Sequence, residues 1–180
     1  MSKVLVMSEP GFIGSHLCES LLKEYHQVIV GDIKDINLED YFQNEYFDCI
    51  VFADILEHLR DPWEILSKAG GFLSDDGAIV ANIPNIGHYT TIVNLLFKRC
   101  WSYRDRGIHD RSLLRFFTIK NIRNMFQDAG LTIAKIKRNY RIIEKPHKLN
   151  KFSKYFAVFC FKDLLTFQYL IVARKEQRRL

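Results

Sequence analysis

The sequence lacks any long apolar run. No part of its 180 residues reaches the roughly 18 uncharged apolar residues that a membrane helix needs. The N-terminus starts directly with a strand-like segment, without the basic region and apolar core of a secretory signal. These two absences predict a cytoplasmic protein with no transmembrane segment.

Cysteine is scarce and scattered. The four cysteines, Cys18, Cys49, Cys100 and Cys160, show no spacing typical of metal ligands or of a redox pair. Buried free thiols are therefore expected, and no metal site is predicted. Internal repeats and low-complexity segments are absent too, and 48% hydrophobic residues can bury one substantial core. We expect a single domain over residues 1–180.

Acidic residues are few in the C-terminal half. Up to Phe97 there are 5 Lys and Arg against 15 Asp and Glu, whereas from Lys98 onward there are 21 against 6. The second half therefore favours an anionic neighbour, such as a phosphorylated small molecule, acidic lipid headgroups or the acidic half of a second copy. Nucleic acid would also satisfy the charge but is not the expected partner. A solvated basic face is the alternative.

Short apolar runs alternate with helical patterns along the chain. This alternation predicts an α/β fold with a mainly parallel sheet. Thr118 can cap the start of the last predicted helix, and Gly130 suits its end. Strands are predicted over 4–7, 28–30, 49–52, 78–82 and 131–136 and in "LTFQYLIVA", and helices over 13–24, 63–69 and 119–129.

A glycine-containing turn, "SEPGFIGSHLCESLL", follows the first apolar run. Such a turn between a strand and a helix lets backbone N–H groups approach a phosphate or a carboxylate. Gly11 and Gly14 match the second and third glycines of the dinucleotide fingerprint, and Ser8 stands in place of the first. The segment resembles the NAD-dependent sugar-nucleotide epimerases and dehydratases, and Asp32 lies where that family has its ribose-binding carboxylate.

The epimerase resemblance stops near residue 35. Those enzymes need a tyrosine followed four residues later by a lysine, because the lysine lowers the pKa of the tyrosine for its acid/base role. No tyrosine of this chain has that partner. Hydride transfer of that type is disfavoured, and NAD is kept only as the alternative cofactor.

The remaining chain resembles another family. The stretches that carry this resemblance are "EYFDCIVFADILEHLRDPWEIL", "LSDDGAIVANIPNIGHY", "HDRSLLRFFTIKNIRNMFQDAGL" and "LLTFQYLIVARK". Over about residues 28–175 they are similar to class I S-adenosylmethionine-dependent methyltransferases, a group often found in bacterial polysaccharide and natural-product pathways. The resemblance implies a Rossmann-like domain with a mainly parallel sheet flanked by helices, a C-terminal antiparallel strand, and S-adenosylmethionine as cofactor.

Two features depart from that family. The acidic residue and glycine triplet of its first motif are missing, since Val6 and "SEP" occupy those places. The family also has two strands and two helices before "VIVGDI", whereas here one of each precedes it. The fold is therefore predicted to be shortened by about one β-α unit on the N-terminal side, the unit whose acidic strand end normally holds the ribose of the cofactor.

The resemblance also implies a site. Asp54, Glu57 and His58 follow the predicted strand "CIVF" at i, i+3 and i+4, so a helix there would project all three to one side. His58 is the candidate general base with Glu57 orienting it, and purely structural duties are the alternative. Cofactor contacts are implied for Ser8, Gly11, Gly14, Asp32, Ile33, Phe52 and Ala53.

Polar residues in two later stretches are candidates for the acceptor side. Arginines that grip a phosphate in bidentate fashion suit a sugar-bearing or phosphorylated acceptor, methylated on oxygen or nitrogen. An Asp110–Arg111–Arg115 ion-pair cluster that ties down a loop is the alternative. The candidate acceptor contacts are Asn85, His88, His109, Arg111 and Arg115.

Two other functions remain open for the whole chain. The first is a methyltransferase-like binding or scaffold module with impaired catalysis, which the defective glycine motif favours. Such a module is expected to self-associate or to have a partner subunit that completes its sheet. The second is an NAD-binding, epimerase-like protein.

Overall fold

Strands and helices alternate along the chain, as the apolar runs predict. The structure, a computed structural model, describes residues 2–8, 12–24, 26–31, 46–142 and 162–176, without the side chains of 12–15. The elements are β1 (Lys3–Ser8), α1 (Phe12–Lys23), β2 (Gln27–Gly31), β3 (Phe47–Ala53), a 3₁₀ turn (Leu56–His58), α2 (Pro62–Gly71), β4 (Leu73–Pro84), α3 (Tyr89–Leu96), α4 (Ile119–Asp128), β5 (Leu131–Tyr140), α5 (Lys162–Leu165) and β6 (Thr166–Lys175).

These strands form one sheet in the order β2-β1-β3-β4-β6-β5. The first four are mutually parallel, while β6 runs antiparallel to both β4 and β5. The parallel strands therefore end at the same edge of the sheet, where open α/β folds bind their ligands. The predicted mainly parallel, Rossmann-like sheet with a C-terminal antiparallel strand is confirmed.

The position of β2 changes the interpretation of the shortened N-terminal half. β2 pairs directly with β1 along its whole length, from Lys3 opposite Gln27 to Met7 opposite Gly31. In a doubly wound sheet this is the place of the second strand. The second strand is thus present beside β1, contrary to the expectation that it belongs to the unit that is missing. Within the part of the chain that the structure describes, the sheet ends at β2.

The core lies on both faces of the central strands. Phe52, Ile79 and Tyr169 are buried in neighbouring strands, and Phe126 packs over them from α4. Burial of such large apolar side chains is the main stabilising contribution to the fold. The sequence therefore places its strongest apolar runs where the sheet is covered.

The helix predicted from Thr118 to Gly130 forms as expected. Its amphipathic spacing buries Ile122, Met125 and Phe126. The backbone N–H of Thr118 donates to Oδ1 of Asn121 at 3.2 Å, which fixes the first turn. Gly130 follows the helix with φ +70°, a conformation that favours glycine at a helix end.

Several sequence predictions concern residues that the structure describes only in part. Cys18, Cys49 and Cys100 are free thiols, but none is buried as expected: Cys18 and Cys49 are half-buried and Cys100 is exposed. Cys160 lies outside the described residues. Among the described residues, no helix is long and apolar enough to cross a membrane. In the same ranges, no group of three His, Cys, Asp or Glu side chains is arranged to hold a metal ion.

Candidate active site

Three small or polar residues stand in one row across the carboxyl ends of adjacent parallel strands. Ser8 of β1 lies opposite Ala53 of β3, and Ala53 lies opposite Asn82 of β4. Ser8 is buried, while Ala53 and Asn82 are half-buried. The row lies at the edge of the sheet where a ligand of this fold would bind.

Asp54 follows this row and has an unusual backbone. Its φ is +51°, in the left-handed region that a residue with a side chain rarely adopts. Its carboxylate Oδ1 accepts hydrogen bonds from Asn82 Nδ2 at 2.7 Å and from Gln168 Nε2 at 3.1 Å. These contacts fix the carboxylate above the strand ends, and backbone strain of this kind is common at functional sites.

The surroundings of Asp54 shift the pKa of its carboxyl in two opposite directions. Burial raises the pKa of its carboxyl, because a charged group loses hydration there. The nearby His58, the hydrogen bond from Asn82 and the charge of Arg141 act in the opposite direction. A half-buried carboxylate, an imidazole and a guanidinium therefore lie within electrostatic reach of one another.

The segment after Asp54 is a 3₁₀ turn rather than an α-helix. The left-handed Asp54 reverses the chain, so the i, i+3, i+4 arrangement of an α-helix does not develop. Glu57 is 2% exposed, whereas His58 is half-buried. The helix that would project Asp54, Glu57 and His58 to one side therefore does not form.

A later segment crosses this turn and limits access to His58. The backbone carbonyl of Glu57 accepts from the N–H groups of Leu114 and Arg115, both at 2.9 Å. His58 Nδ1 lies 3.3 Å from the carbonyl oxygen of Ser112. If Nδ1 carries the proton and donates it to that carbonyl, Nε2 is left as the acceptor of a proton from a substrate.

Asn85, His88 and His109 lie in the interior. Their side chains are 1%, 0% and 1% exposed. Asn85 donates to the carbonyls of Asp163 and Thr166, both at 2.7 Å, and thereby joins the end of β4 to the start of β6. The expectation that these three residues face an acceptor is not met, because all three are buried, with Asn85 and His88 contacting backbone carbonyls and His109 the Thr91 hydroxyl.

The two histidines hold the start and the side of α3. His88 is the N-cap residue of α3, and its Nε2 lies 2.8 Å from the carbonyl oxygen of Arg141. His109 Nε2 lies 3.0 Å from the hydroxyl oxygen Oγ1 of Thr91. The His88 ring meets Phe167 edge-on, with 5.9 Å between centroids. Both rings therefore position backbone segments around the site.

The two candidate arginines are exposed but do not form the predicted cluster. Arg111 pairs with Asp105, and both side chains are more than two-thirds exposed. Arg115 donates from Nε to the carbonyl of Arg60 at 3.0 Å. Asp110 instead accepts from the backbone N–H and hydroxyl of Ser112. The alternative of an Asp110–Arg111–Arg115 cluster was therefore wrong.

A comparison with protein families assigns the chain. A family model described as a methyltransferase domain matches residues 13–136, which is more than half of the sequence. The chain belongs to this methyltransferase domain family. A search of curated protein sequences finds no match.

Solved structures share the fold at low sequence identity. An S-adenosylmethionine-dependent methyltransferase from Archaeoglobus fulgidus has a TM-score of 0.62 at 15% identity, covering 97% of this chain and 86% of that one. One from Methanosarcina mazei has a TM-score of 0.56 at 10% identity, covering 97% and 92%. A complex of a methyltransferase with the Trm112 methyltransferase activator from Haloferax volcanii gives 0.57 at 11% identity, covering 98% and 83%.

These comparisons bear on the two resemblances seen in the sequence. The methyltransferase resemblance is confirmed, and S-adenosylmethionine is the cofactor that the family supports. The epimerase-like turn gains no support from the matches, and the family match begins at residue 13. The methyltransferase domain therefore includes the helix that follows the glycine turn.

The predicted cofactor contacts of the methyltransferase domain are described only in part. Gly11, Asp32 and Ile33 lie outside the described residues, and Gly14 is described only as part of the α1 backbone. Phe52 is 1% exposed and supports the strand end from within the core. Among the predicted contacts, Ser8 and Ala53 are placed together at the edge of the sheet.

Two residues of the methyltransferase domain were not predicted as site residues. Gln168 is the one side-chain amide in the run "LTFQYLIVA", which was the available signal. Its pairing with Asp54 depends on β6 returning beside β4, with Gln168 opposite Pro84. Arg141 directly follows β5, where its guanidinium lies 4.4 Å from the Phe167 ring centroid. Both residues reach the site through long-range contacts that the spacing of residues in the sequence does not reveal.

Proposed function

We propose that the chain is an S-adenosylmethionine-dependent methyltransferase whose cofactor lies over the carboxyl ends of β1, β2 and β3. These strands end in Ser8, Gly31 and Ala53, three residues with little or no side chain. A Cβ added at Gly31 would meet Met7 Sδ at 2.5 Å, so the Met7 side chain would have to shift to admit a larger residue. Small residues at three adjacent strand ends fit a flat nucleoside lying across the edge.

The sequence next to these strand ends supplies complementary groups. Asp32, immediately after β2, is proposed to bind the ribose hydroxyls, and Ile33 to contact the adenine. Gly11 and Gly14 are proposed to contact the cofactor on the side of α1, where backbone N–H groups can approach a carboxylate. Phe52 and Ala53 form the floor. When bound, the cofactor supplies a methyl group on a sulfonium, which is transferred by displacement.

The observation that carries the proposal is the carboxylate of Asp54, which Asn82 and Gln168 hold beside the proposed cofactor edge, four residues before His58. Methyl transfer to oxygen requires removal of a proton, whereas the enzyme otherwise mainly positions the reactants. His58 is proposed to take that proton from the acceptor. Asp54 then stabilises the positive imidazolium. Glu57, which the sequence suggested for this role, instead anchors the segment over the turn through its backbone carbonyl.

The acceptor is proposed to be a small anionic molecule, such as a phosphorylated or sugar-bearing compound. Arg111 and Arg115 are the exposed cations of the segment that crosses the 3₁₀ turn. The acceptor side of the site is proposed to be positioned from the interior by three buried side chains, those of Asn85, His88 and His109. A place in polysaccharide biosynthesis and a cytoplasmic location stay predictions, as do self-association and a partner that completes the sheet.

Calorimetric titration tests the cofactor assignment. S-adenosylmethionine is expected to bind and NAD is not. The variant Asp32→Asn is expected to weaken S-adenosylmethionine binding by about tenfold, because a charge-assisted hydrogen bond is replaced by a neutral one. Asp75→Asn, an exposed carboxylate at the start of β4, is the control and should bind like the wild type. Binding of NAD alone would overturn the assignment.

The acceptor side is tested with the double variant Arg111→Gln and Arg115→Gln. It is expected to weaken binding of phosphorylated sugars and nucleotide sugars severalfold, with S-adenosylmethionine affinity unchanged. The melting temperature should stay nearly constant, because the Arg111–Asp105 ion pair and the hydrogen bond from Arg115 to the Arg60 carbonyl are both exposed to water. Lys120→Gln with Arg123→Gln on α4 is the matched control. If the Arg111 and Arg115 variant melts early and binds every anionic candidate normally, these arginines are structural.

A further inference from the structure

The helix α3 buries polar residues and exposes apolar ones, which is the reverse of an ordinary surface helix. Its buried residues are the polar Thr91 and Asn94. Its apolar residues face outward instead, and Leu96 and the following Phe97 are 67% and 80% exposed. We define the apolar ridge as the exposed residues of this segment, namely Ile92, Val93, Leu95, Leu96 and Phe97.

Hydrogen bonds fix this orientation. Thr91 Oγ1 lies 3.0 Å from the ring of the buried His109, and the carbonyl of Asn94 accepts from the N–H of Cys100 at 3.2 Å. Rotating α3 to hide its apolar residues would break these contacts and expose polar groups that are now satisfied. The ridge is therefore a stable part of the folded surface. Contiguous exposed apolar residues of this size mark interaction sites.

Positive charge follows the ridge directly. Lys98, Arg99 and Arg106 are exposed. The acidic Asp105 among them is engaged with Arg111. We define the basic rim as Lys98, Arg99 and Arg106. The rim belongs to the loop that His109 ties to α3, since Trp101 packs edge-on against the His109 ring at 5.2 Å.

We propose that the apolar ridge and the basic rim dock the protein onto an anionic membrane surface. The protruding Leu96 and Phe97 would enter the boundary between headgroups and acyl chains, and the rim would lie at the level of the negatively charged headgroups. A nucleic acid would satisfy the rim but not the aliphatic ridge. This inference goes beyond the proposed methyltransferase activity and does not depend on it.

Cosedimentation with lipid vesicles tests the proposal. The full chain is expected to bind vesicles of mixed phosphatidylcholine and phosphatidylglycerol, to ignore pure phosphatidylcholine, and to dissociate as sodium chloride screens the rim. Leu96→Ser with Phe97→Ser should lower the partition coefficient at least about tenfold, because two large apolar side chains no longer leave water. Lys98→Gln with Arg99→Gln should lower it about tenfold on the anionic vesicles.

Matched controls use similar residues elsewhere on the surface. Leu22 and Tyr46 are 57% and 64% exposed, so Leu22→Ser with Tyr46→Ser controls for lost apolar surface. Lys135→Gln with Lys137→Gln on β5 controls for lost charge. Failure of the wild type to bind anionic vesicles would overturn the proposal, as would equal losses in the control variants. A dimer that dissociates in the Leu96 and Phe97 variant would instead identify the ridge as an interface between copies.

Discussion

Replacing His58 with Gln is expected to lower methyl transfer by about two to four orders of magnitude, the usual contribution of a general base. Glutamine keeps hydrogen-bonding capacity at this position but cannot accept a proton. S-adenosylmethionine binding should not change, because the proposed cofactor edge lies at Ser8, Gly31 and Ala53. Formation of S-adenosylhomocysteine in the presence of a panel of phosphorylated and sugar-bearing acceptors measures the effect.

A second variant separates the role of His58 from that of its neighbour. Asp54→Asn keeps an oxygen that can accept from Asn82 and Gln168, but it removes the charge that faces His58. The loss of activity should therefore be smaller than for His58→Gln. His16→Gln, at an exposed position on α1, is the control and should leave activity unchanged. Full turnover by the His58 variant would exclude His58 as the base.

The main strands were predictable from sequence because each combines an apolar run with a local stop signal. The prediction of a strand over 49–52 extends in the structure to Phe47–Ala53, and the helix after Thr118 ends one residue earlier than predicted, at Asp128. Such elements follow from local spacing and capping. The methyltransferase resemblance implied a mainly parallel sheet with a C-terminal antiparallel strand, which the structure confirms.

The details of the site were less predictable, because they depend on backbone conformation and distant contacts. A helical interpretation placed Glu57 beside His58, but the left-handed Asp54 produced a 3₁₀ turn and buried Glu57. Gln168 meets Asp54 across 114 positions of sequence. No periodicity within either segment contains that information. Spacing identified the segment that holds Asp54 and His58 but not the contact of Asp54 with Gln168.

The orientation of helix α3 could not be predicted from sequence for a related reason. Its residues Ile92, Val93, Leu95 and Leu96 form an apolar group that would ordinarily face the core. The contacts of Thr91 and His109 turn this group outward. Sequence patterns predict which residues of a helix share a face, but a long-range hydrogen bond decided which face is buried.

The buried amide of Asn85 is expected to contribute more to stability than to acceptor binding. Asn85→Ala removes two donated hydrogen bonds, to the carbonyls of Asp163 and Thr166, and the acceptor of the Gly87 N–H. Each buried backbone group left unsatisfied costs about 1–3 kcal/mol, although some of them can gain water. We expect a loss of about 2–5 kcal/mol in the free energy of unfolding. In a domain of this size the melting temperature would fall by about 5–15 °C.

Thermal and urea unfolding of the variant measure this loss, with Asn124→Ala as the control. Asn124 is an exposed asparagine on α4, where a change to alanine is expected to alter stability by no more than about 0.5 kcal/mol. The two positions therefore separate a buried amide from an exposed one in the same protein. Wild-type melting of the Asn85 variant, combined with weakened acceptor binding, would restore the acceptor contact that the sequence suggested. Early melting with normal S-adenosylmethionine binding at low temperature would establish Asn85 as the link between β4 and β6.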